Sequence, residues 1–191
     1  TVGLVELNLD GTPKRDAQGK TIPTYGQDDI EGLAHVFTGW TWQNAETFWW
    51  WGENRDLLSP MKAFPDYHAE GEKRIINGGV IPAGQTPEQD LNQALDHIFN
   101  HPNVGPFIAK QLIKKLVTSN PSPEYVERVA TAFNDNGSGV RGDMKAVIKS
   151  ILLDEEAITG ESAHDKPFGK LKEPILKLTA FWRAFNANTG T

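Results

Sequence analysis

Apolar residues along the chain fall into runs with a helical period, interrupted by one long stretch with no period. Ile30, Leu33, Ala34 and Phe37 stand at i, i+3, i+4 and i+7, and Asp28, Asp29 and Glu31 sit where a helix N-terminus favours acids. This predicts a helix opening at Gln27 and stopping near Thr38-Gly39-Trp40. Thr86-Pro87-Glu88-Gln89 reads as a capping box with proline at the first helical position, and predicts a helix over Pro87–Asn100 carrying Leu91, Ala94, Leu95, Ile98 and Phe99. His101-Pro102 breaks it, and Val104, Phe107, Ile108, Leu112, Ile113, Leu116 and Val117 form the next stripe. Ser122-Pro123 opens another, with Val126, Val129, Ala130 and Phe133, for which Asn136-Gly137 offers a left-handed terminator. A further run over 143–153 bears Met144, Val147, Ile148, Ile151 and Leu152. After a polar linker from Thr159 to Gly169, Pro174 opens a last helix with Ile175, Leu178, Thr179, Trp182 and Phe185.

Two regions lack this period. Residues 1–26 alternate weakly and carry turn sequences at Asp10-Gly11 and Asp16-Ala17-Gln18-Gly19, the pattern of a β-hairpin or ordered loop. Residues 41–85 form a long irregular insertion, rich in aromatic side chains, with room for one short β-hairpin around Glu72 to Val80. Loops of this length are uncommon in compact domains and often carry binding surfaces. The expected architecture is therefore a single, mainly α-helical domain over 1–191, a bundle of five or six helices joined by short links.

Composition narrows the function classes. The chain has 191 residues, 38% of them apolar, and no cysteine, so thiol catalysis and thiolate metal sites are excluded. A chain this long buries about 70% of its unfolded surface, so no cofactor is called for on size grounds. Nineteen Lys and Arg against 25 Asp and Glu leave a net charge of −6, which argues against nucleic acid as a partner. No stretch has the apolar length of a membrane span. Thr1-Val2-Gly3-Leu4 lacks the features of a signal peptide, and an opening in an apolar stretch without Met reads as a piece of something longer.

Several strings occur in a recognisable order: Tyr25-Gly26-Gln27-Asp28-Asp29-Ile30 leading to Phe37-Thr38-Gly39-Trp40, then Tyr67-His68 with Gly71 and Lys73. These are followed by His101-Pro102 with Pro106-Phe107-Ile108 and Lys110, then Ile151-Leu152-Leu153, then Lys172 with Pro174. Over nearly the whole chain they resemble the C-terminal part of the bacterial proteins catalogued as domain of unknown function 1800. The chain departs from the pattern at Gly26, where a threonine is frequent; glycine caps a helix nearly as well. The resemblance implies a missing, mostly helical N-terminal part as a partner. It also implies export, hence a periplasmic or extracellular setting, and it brings no established activity.

Four groups of residues can carry chemistry. Asp66, His68, Glu70 and Lys73 are the densest titratable run in the insertion, suited to general-base work, a ligand set or an anion clamp. Their bland reading is loop-ordering hydrogen bonds and a surface ion pair. His97 and His101, at i and i+4 beside Asp96, have the spacing of a helical zinc pair but no evident third ligand, and His101 equally suits a helix end. Trp49-Trp50-Trp51, with Trp40 and Trp42, can form a stacking platform for a glycan, a surface for another exported protein, or internal packing. Three consecutive rings cannot all face one way in an extended chain. Lys110, Lys114 and Lys115 follow helical spacing and read as a solvated face rather than an anion site. Phosphate loops, dinucleotide fingerprints, nucleophile elbows and zinc helices are absent, while Asp154-Glu155-Glu156 is a carboxylate cluster of unknown separation. The sequence thus points first to a structural or binding module, and second to a hydrolase-like or metal-assisted enzyme acting on a polysaccharide around Asp66, His68, Glu70 and Lys73.

Overall fold

A computed structural model of the chain describes residues 2–163, 168–170 and 173–186, with the side chains of 161–163 left aside. Lys172 and the 164–167 portion of the expected linker lie outside the described residues. The fold is mainly helical, with seven α-helices and two small two-stranded sheets among the described residues. It divides into two compact units. Unit 1 comprises residues 1–8 and 12–107, and unit 2 comprises residues 9–11 and 108–191.

Unit 1 begins with an ordered coil held by isolated antiparallel bridges, Val5 to Pro23, Leu7 to Pro13 and Arg15 to Thr21. Three of its backbone amides close a ring: Glu6 donates to Ile22, Ile22 to Lys14, and Lys14 back to Glu6, at 2.8, 3.2 and 2.8 Å. Asp16 folds the tip by accepting the N–H groups of Gln18 and Lys20. Asn103, 1% exposed, ties the coil down through its side chain. It accepts from the Leu7 N–H and donates to the carbonyls of Val2 and Val5.

Helix α1 (Gln27–Val36) starts at Gly26, whose N–H donates to Asp29 at 2.8 Å. Strand β1 (Trp40–Thr41) pairs antiparallel with β2 (Lys62–Ala63), and β3 (Lys73–Ile75) with β4 (Gly79–Ile81), so a hairpin forms near Glu72 to Val80. A 3-10 turn, Pro65–Tyr67, separates the two sheets along the chain. Helix α2 (Pro87–Asn100) carries the capping box read from its sequence: Thr86 Oγ1 accepts from Gln89 N–H, and the Gln89 side chain accepts from Thr86 N–H. Val36, Ile75, Ile81 and Ala94 form the core between α1, the β3–β4 hairpin and α2. The buried face of α2 is rotated from the expected stripe: Pro87, Asp90 and Ala94 are buried, whereas Leu95 and Phe99 are exposed.

Helix α3 (Val104–Leu116) follows the His101-Pro102 break, and its later turns belong to unit 2. Helices α4 (Pro123–Asn134) and α5 (Met144–Leu152) pack through Val126, Val129, Ala130, Val147 and Ile151, and the buried Tyr125 hydroxyl donates to the Ile151 carbonyl at 2.6 Å. Asn136-Gly137 does not terminate α4. The helix ends at Asp135 in extended backbone, and Gly137 takes its positive φ two residues further on. Helix α6 (Glu155–Ala163) corrects one expectation, since it occupies the start of the expected linker, and the Asp154-Glu155-Glu156 cluster is its N-terminal turn, with Asp154 accepting the Glu156 N–H. Glu156 in turn accepts from the backbone and hydroxyl of Ser122, the N-cap of α4. Helix α7 (Pro174–Ala184) buries none of its residues, and Ile175, Leu178, Trp182 and Phe185 stand open along it.

Candidate functional site

The most unusual chemistry in unit 1 lies in its interior. Asp90, on the first turn of α2, is fully buried, and one of its oxygens, Oδ2, meets two nitrogens: His68 Nε2 at 2.9 Å and Lys73 Nζ at 2.6 Å. The three side chains are at most 2% exposed. Lys73 is brought in by β3 and is held a second time by the Gly71 carbonyl at 2.9 Å. His68 caps the 3-10 turn, and its Nδ1 faces the Thr38 carbonyl at 3.0 Å and the Thr38 hydroxyl at 3.2 Å. That hydroxyl donates to the His35 carbonyl at 2.6 Å and accepts the Ala69 N–H, so the imidazole is fixed at one nitrogen by Thr38, two residues beyond α1, and at the other by Asp90 of α2. The other Asp90 oxygen, Oδ1, is buried without a hydrogen-bond partner. Charges out of water are costly unless paired, and a bare carboxylate oxygen leaves part of that cost uncompensated.

The predicted group around His68 is therefore divided. His68 and Lys73 meet through Asp90, while Asp66 and Glu70 remain on the surface. His97 Nε2 donates to the Ile76 carbonyl at 2.7 Å, and His101 Nδ1 accepts the Asn103 N–H at 3.0 Å, so each imidazole serves the local backbone. No group of three metal-binding side chains occurs among the described residues. Lys110 donates to the Gly11 carbonyl within unit 2, while Lys114 and Lys115 are exposed.

The aromatic segment presents a surface. Phe48 stacks on Tyr67 with centroids 4.4 Å apart, and Trp49 packs edge-on against both rings. The Arg55 guanidinium lies 5.6 Å from the Trp42 ring centre and 5.2 Å from that of Trp51. Asn44 closes the loop, donating to the Asn54 carbonyl and accepting the Asp56 N–H, and Asp56 accepts from Leu58 and Ser59 at its turn. Trp40, Trp42 and Trp50 are half-buried, but Trp49 and Trp51 are 66% and 71% exposed, and Leu58 is 98% exposed. Nearby, Phe37, Trp40, Pro60, Met61 and Leu91 line an apolar cleft of about 360 Å³.

Across almost its whole length, residues 1–190, the chain matches the family model described as protein of unknown function (DUF1800). The chain belongs to that family. No curated protein and no solved structure matches it. The family name carries no activity with it, so the functional reading rests on the side chains themselves. Among the described residues, no helix is long and apolar enough to cross a membrane.

The residue that sequence reasoning missed is Asp90. Its signal was present: it stands three residues after Pro87 and four before Ala94, on the buried face of α2. A carboxylate at a core position implies a buried cation. Unit 2 holds a second polar cluster, in which Arg128 makes a two-pronged bond to Asp154 at 2.7 and 2.8 Å. Burial pushes the Asp154 carboxyl up, but Arg128 and the Glu156 N–H outweigh it and hold the group below the usual carboxylate range. Burial, reinforced by the charges of Asp154 and Glu156, pushes the Tyr125 phenol well above its ordinary value.

Proposed function

We propose that the chain is a non-catalytic binding module of an exported bacterial protein, and that the loop around Trp49, Trp51 and Leu58 contacts an apolar surface on a protein partner. The observation that carries this reading is the outward exposure of those three side chains on a loop closed by its own hydrogen bonds. Exposed apolar patches on ordered scaffolds are characteristic of interaction sites. A protein surface suits this patch better than a glycan does. Sugar platforms pair flat rings with hydrogen-bonding side chains, whereas here the exposed rings share their loop with the exposed Leu57, Leu58 and Met61. Two of the loop's polar side chains, Asn44 and Asp56, are spent on its own backbone. The exported setting is supported by the family resemblance. An enzyme centred on Asp66, His68, Glu70 and Lys73 has less support, because His68 and Lys73 are enclosed while Asp66 and Glu70 lie on the surface.

The test is loop-dependent association. The natively expressed protein is expected to co-purify with a protein in fixed stoichiometry, and the Trp51→Ser/Leu58→Asp variant, with unchanged circular dichroism, is expected to lose it. Soluble polysaccharides are expected to leave tryptophan emission unaltered. A saturable emission shift with a polysaccharide, or association that survives the double substitution, overturns the reading.

A further inference from the structure

We propose that Lys73 and Asp90 condense into an intramolecular amide that bolts the β3–β4 hairpin to helix α2. The two reacting groups are already assembled: Nζ stands 2.6 Å from Oδ2, and neither side chain is more than 1% exposed. Positioning of this kind stands in for very high reactant concentration, with effective molarities of about 10⁵–10⁸ M for well-oriented pairs. Enclosure matters as much as proximity, because the reverse reaction needs water at the carbonyl carbon. Lysines that act as nucleophiles are those held away from solvent. The Gly71 carbonyl, 2.9 Å from Nζ, holds the amine beside the carboxyl group and accepts one of its hydrogens.

The proton traffic has a carrier. His68 Nε2 lies 2.9 Å from Oδ2, the oxygen nearest the amine. In the step, the lone pair of Nζ forms a bond to Cγ of Asp90, and the Cγ–Oδ2 bond breaks. Starting from ammonium and carboxylate, nitrogen gives up two of its three protons. His68 relays them to Oδ2, delivering one from Nε2 and recovering its own, and Oδ2 departs as water. Oδ1 stays as the amide carbonyl oxygen. No oxidant, metal or other reactant is consumed, and the summed charge of the pair is zero before and after.

The orphaned oxygen makes this outcome physically apt. Oδ1 is buried without a hydrogen-bond partner. As half of a carboxylate it carries a share of a full negative charge in an apolar interior, which is costly, whereas an amide carbonyl there carries only a dipole. The same enclosure argues against any external substrate: the three titratable side chains are at most 2% exposed, so the chemistry available to them is with one another. This proposal is independent of the binding surface on the aromatic loop.

Intact mass spectrometry of the purified, folded protein, denatured just before injection, is the test. The expected result is a mass lower than that of the sequence by one water. The digest should join the peptide of Lys73 to that of Asp90, with trypsin failing to cut after Lys73. Lys73→Arg, which keeps the cation but removes the amine, should restore the full mass. Asp90→Asn should lose ammonia in place of water, a readout that survives if the arginine variant does not fold. His68→Gln should slow the loss in protein that remains folded. A wild-type mass that stays at the full value after prolonged incubation of folded protein overturns the proposal. So does a water loss that maps elsewhere, such as a succinimide at Asp10-Gly11, with Lys73 and Asp90 in separate peptides.

Discussion

His68 and Asp90, 22 residues apart in sequence, meet at 2.9 Å inside unit 1, and the contact is sealed from solvent. A functional histidine at a surface site can be removed at little cost to stability; this one cannot. His68→Ala strands an Asp90 contact and two Thr38 contacts, and is expected to cost about 1–3 kcal/mol or more. Lys73→Ala leaves a buried carboxylate with histidine alone, and is expected to cost about 3–5 kcal/mol. Replacing all three by apolar residues, as in His68→Phe/Lys73→Met/Asp90→Leu, should recover the part of that loss that comes from the stranded carboxylate. Urea unfolding of the four proteins checks this, and a His68→Ala protein as stable as wild type would contradict the structural role.

Gly32 is required for a different reason. A Cβ at this position would stand 1.6 Å from the carbonyl oxygen of Arg74, so α1 and β3 touch backbone to backbone. Gly32→Ala must push the helix off the hairpin, and overpacking of this kind costs about 1–3 kcal/mol or more. Thermal melting should show a large drop. Gly71→Ala, where an added methyl meets nothing, is the control and should melt close to wild type.

In unit 2 the sign of the pH dependence follows from two groups. The Asp154 carboxyl is held below its ordinary value, so it contributes stability that is full above the unfolded value of about pH 4 and is lost as pH falls through its folded value. The Tyr125 phenol is pushed upward, so its contribution is full below the unfolded value of about pH 10 and drains away as pH rises above it. Unfolding free energy against pH should therefore decline at both ends. Arg128→Met should shallow the acid limb and Tyr125→Phe the alkaline limb. Limbs unchanged by these substitutions would assign the decline to other groups.

Arg55 sits over two tryptophan rings at the open edge of the aromatic loop. Exposed contacts of this kind are worth about 0.5–1 kcal/mol each, so Arg55→Ala should barely move global stability while freeing the Trp51 ring. The expected signature is a red-shifted, more readily acrylamide-quenched emission with an unchanged melting temperature. Identical quenching in the two proteins would mean that the guanidinium does not hold the rings.

Helix positions were legible because their caps are written in local sequence: Thr86 with Gln89, and Ser122, act as expected, and Asp143 caps the run expected over 143–153. Helix α6 was not, because EEAITGESA has scarcely any apolar stripe, and its start is fixed by Asp154, an acid first read only as part of a cluster. The rotation of α2 escaped for a related reason. Hydrophobicity selects the face of Leu91, Leu95 and Phe99, but the fold buries the face that bonds, where Asp90 meets two nitrogens and His97 reaches the Ile76 carbonyl. The site was half visible, since His68 and Lys73 lie five positions apart, whereas their common anion comes from another element and only the burial pattern of α2 could have pointed to it.

The ring of three amides at Glu6, Lys14 and Ile22 has a consequence for how the N-terminal coil tolerates change. Its corners are evenly spaced along the chain and each is bonded to the other two, so the triangle is expected to open as a whole. Deuterium should enter those three positions at one common rate. A single extra residue spliced into either intervening bend should abolish the slow exchange at every corner at once, an all-or-nothing geometry unusual for a stretch with no regular strand.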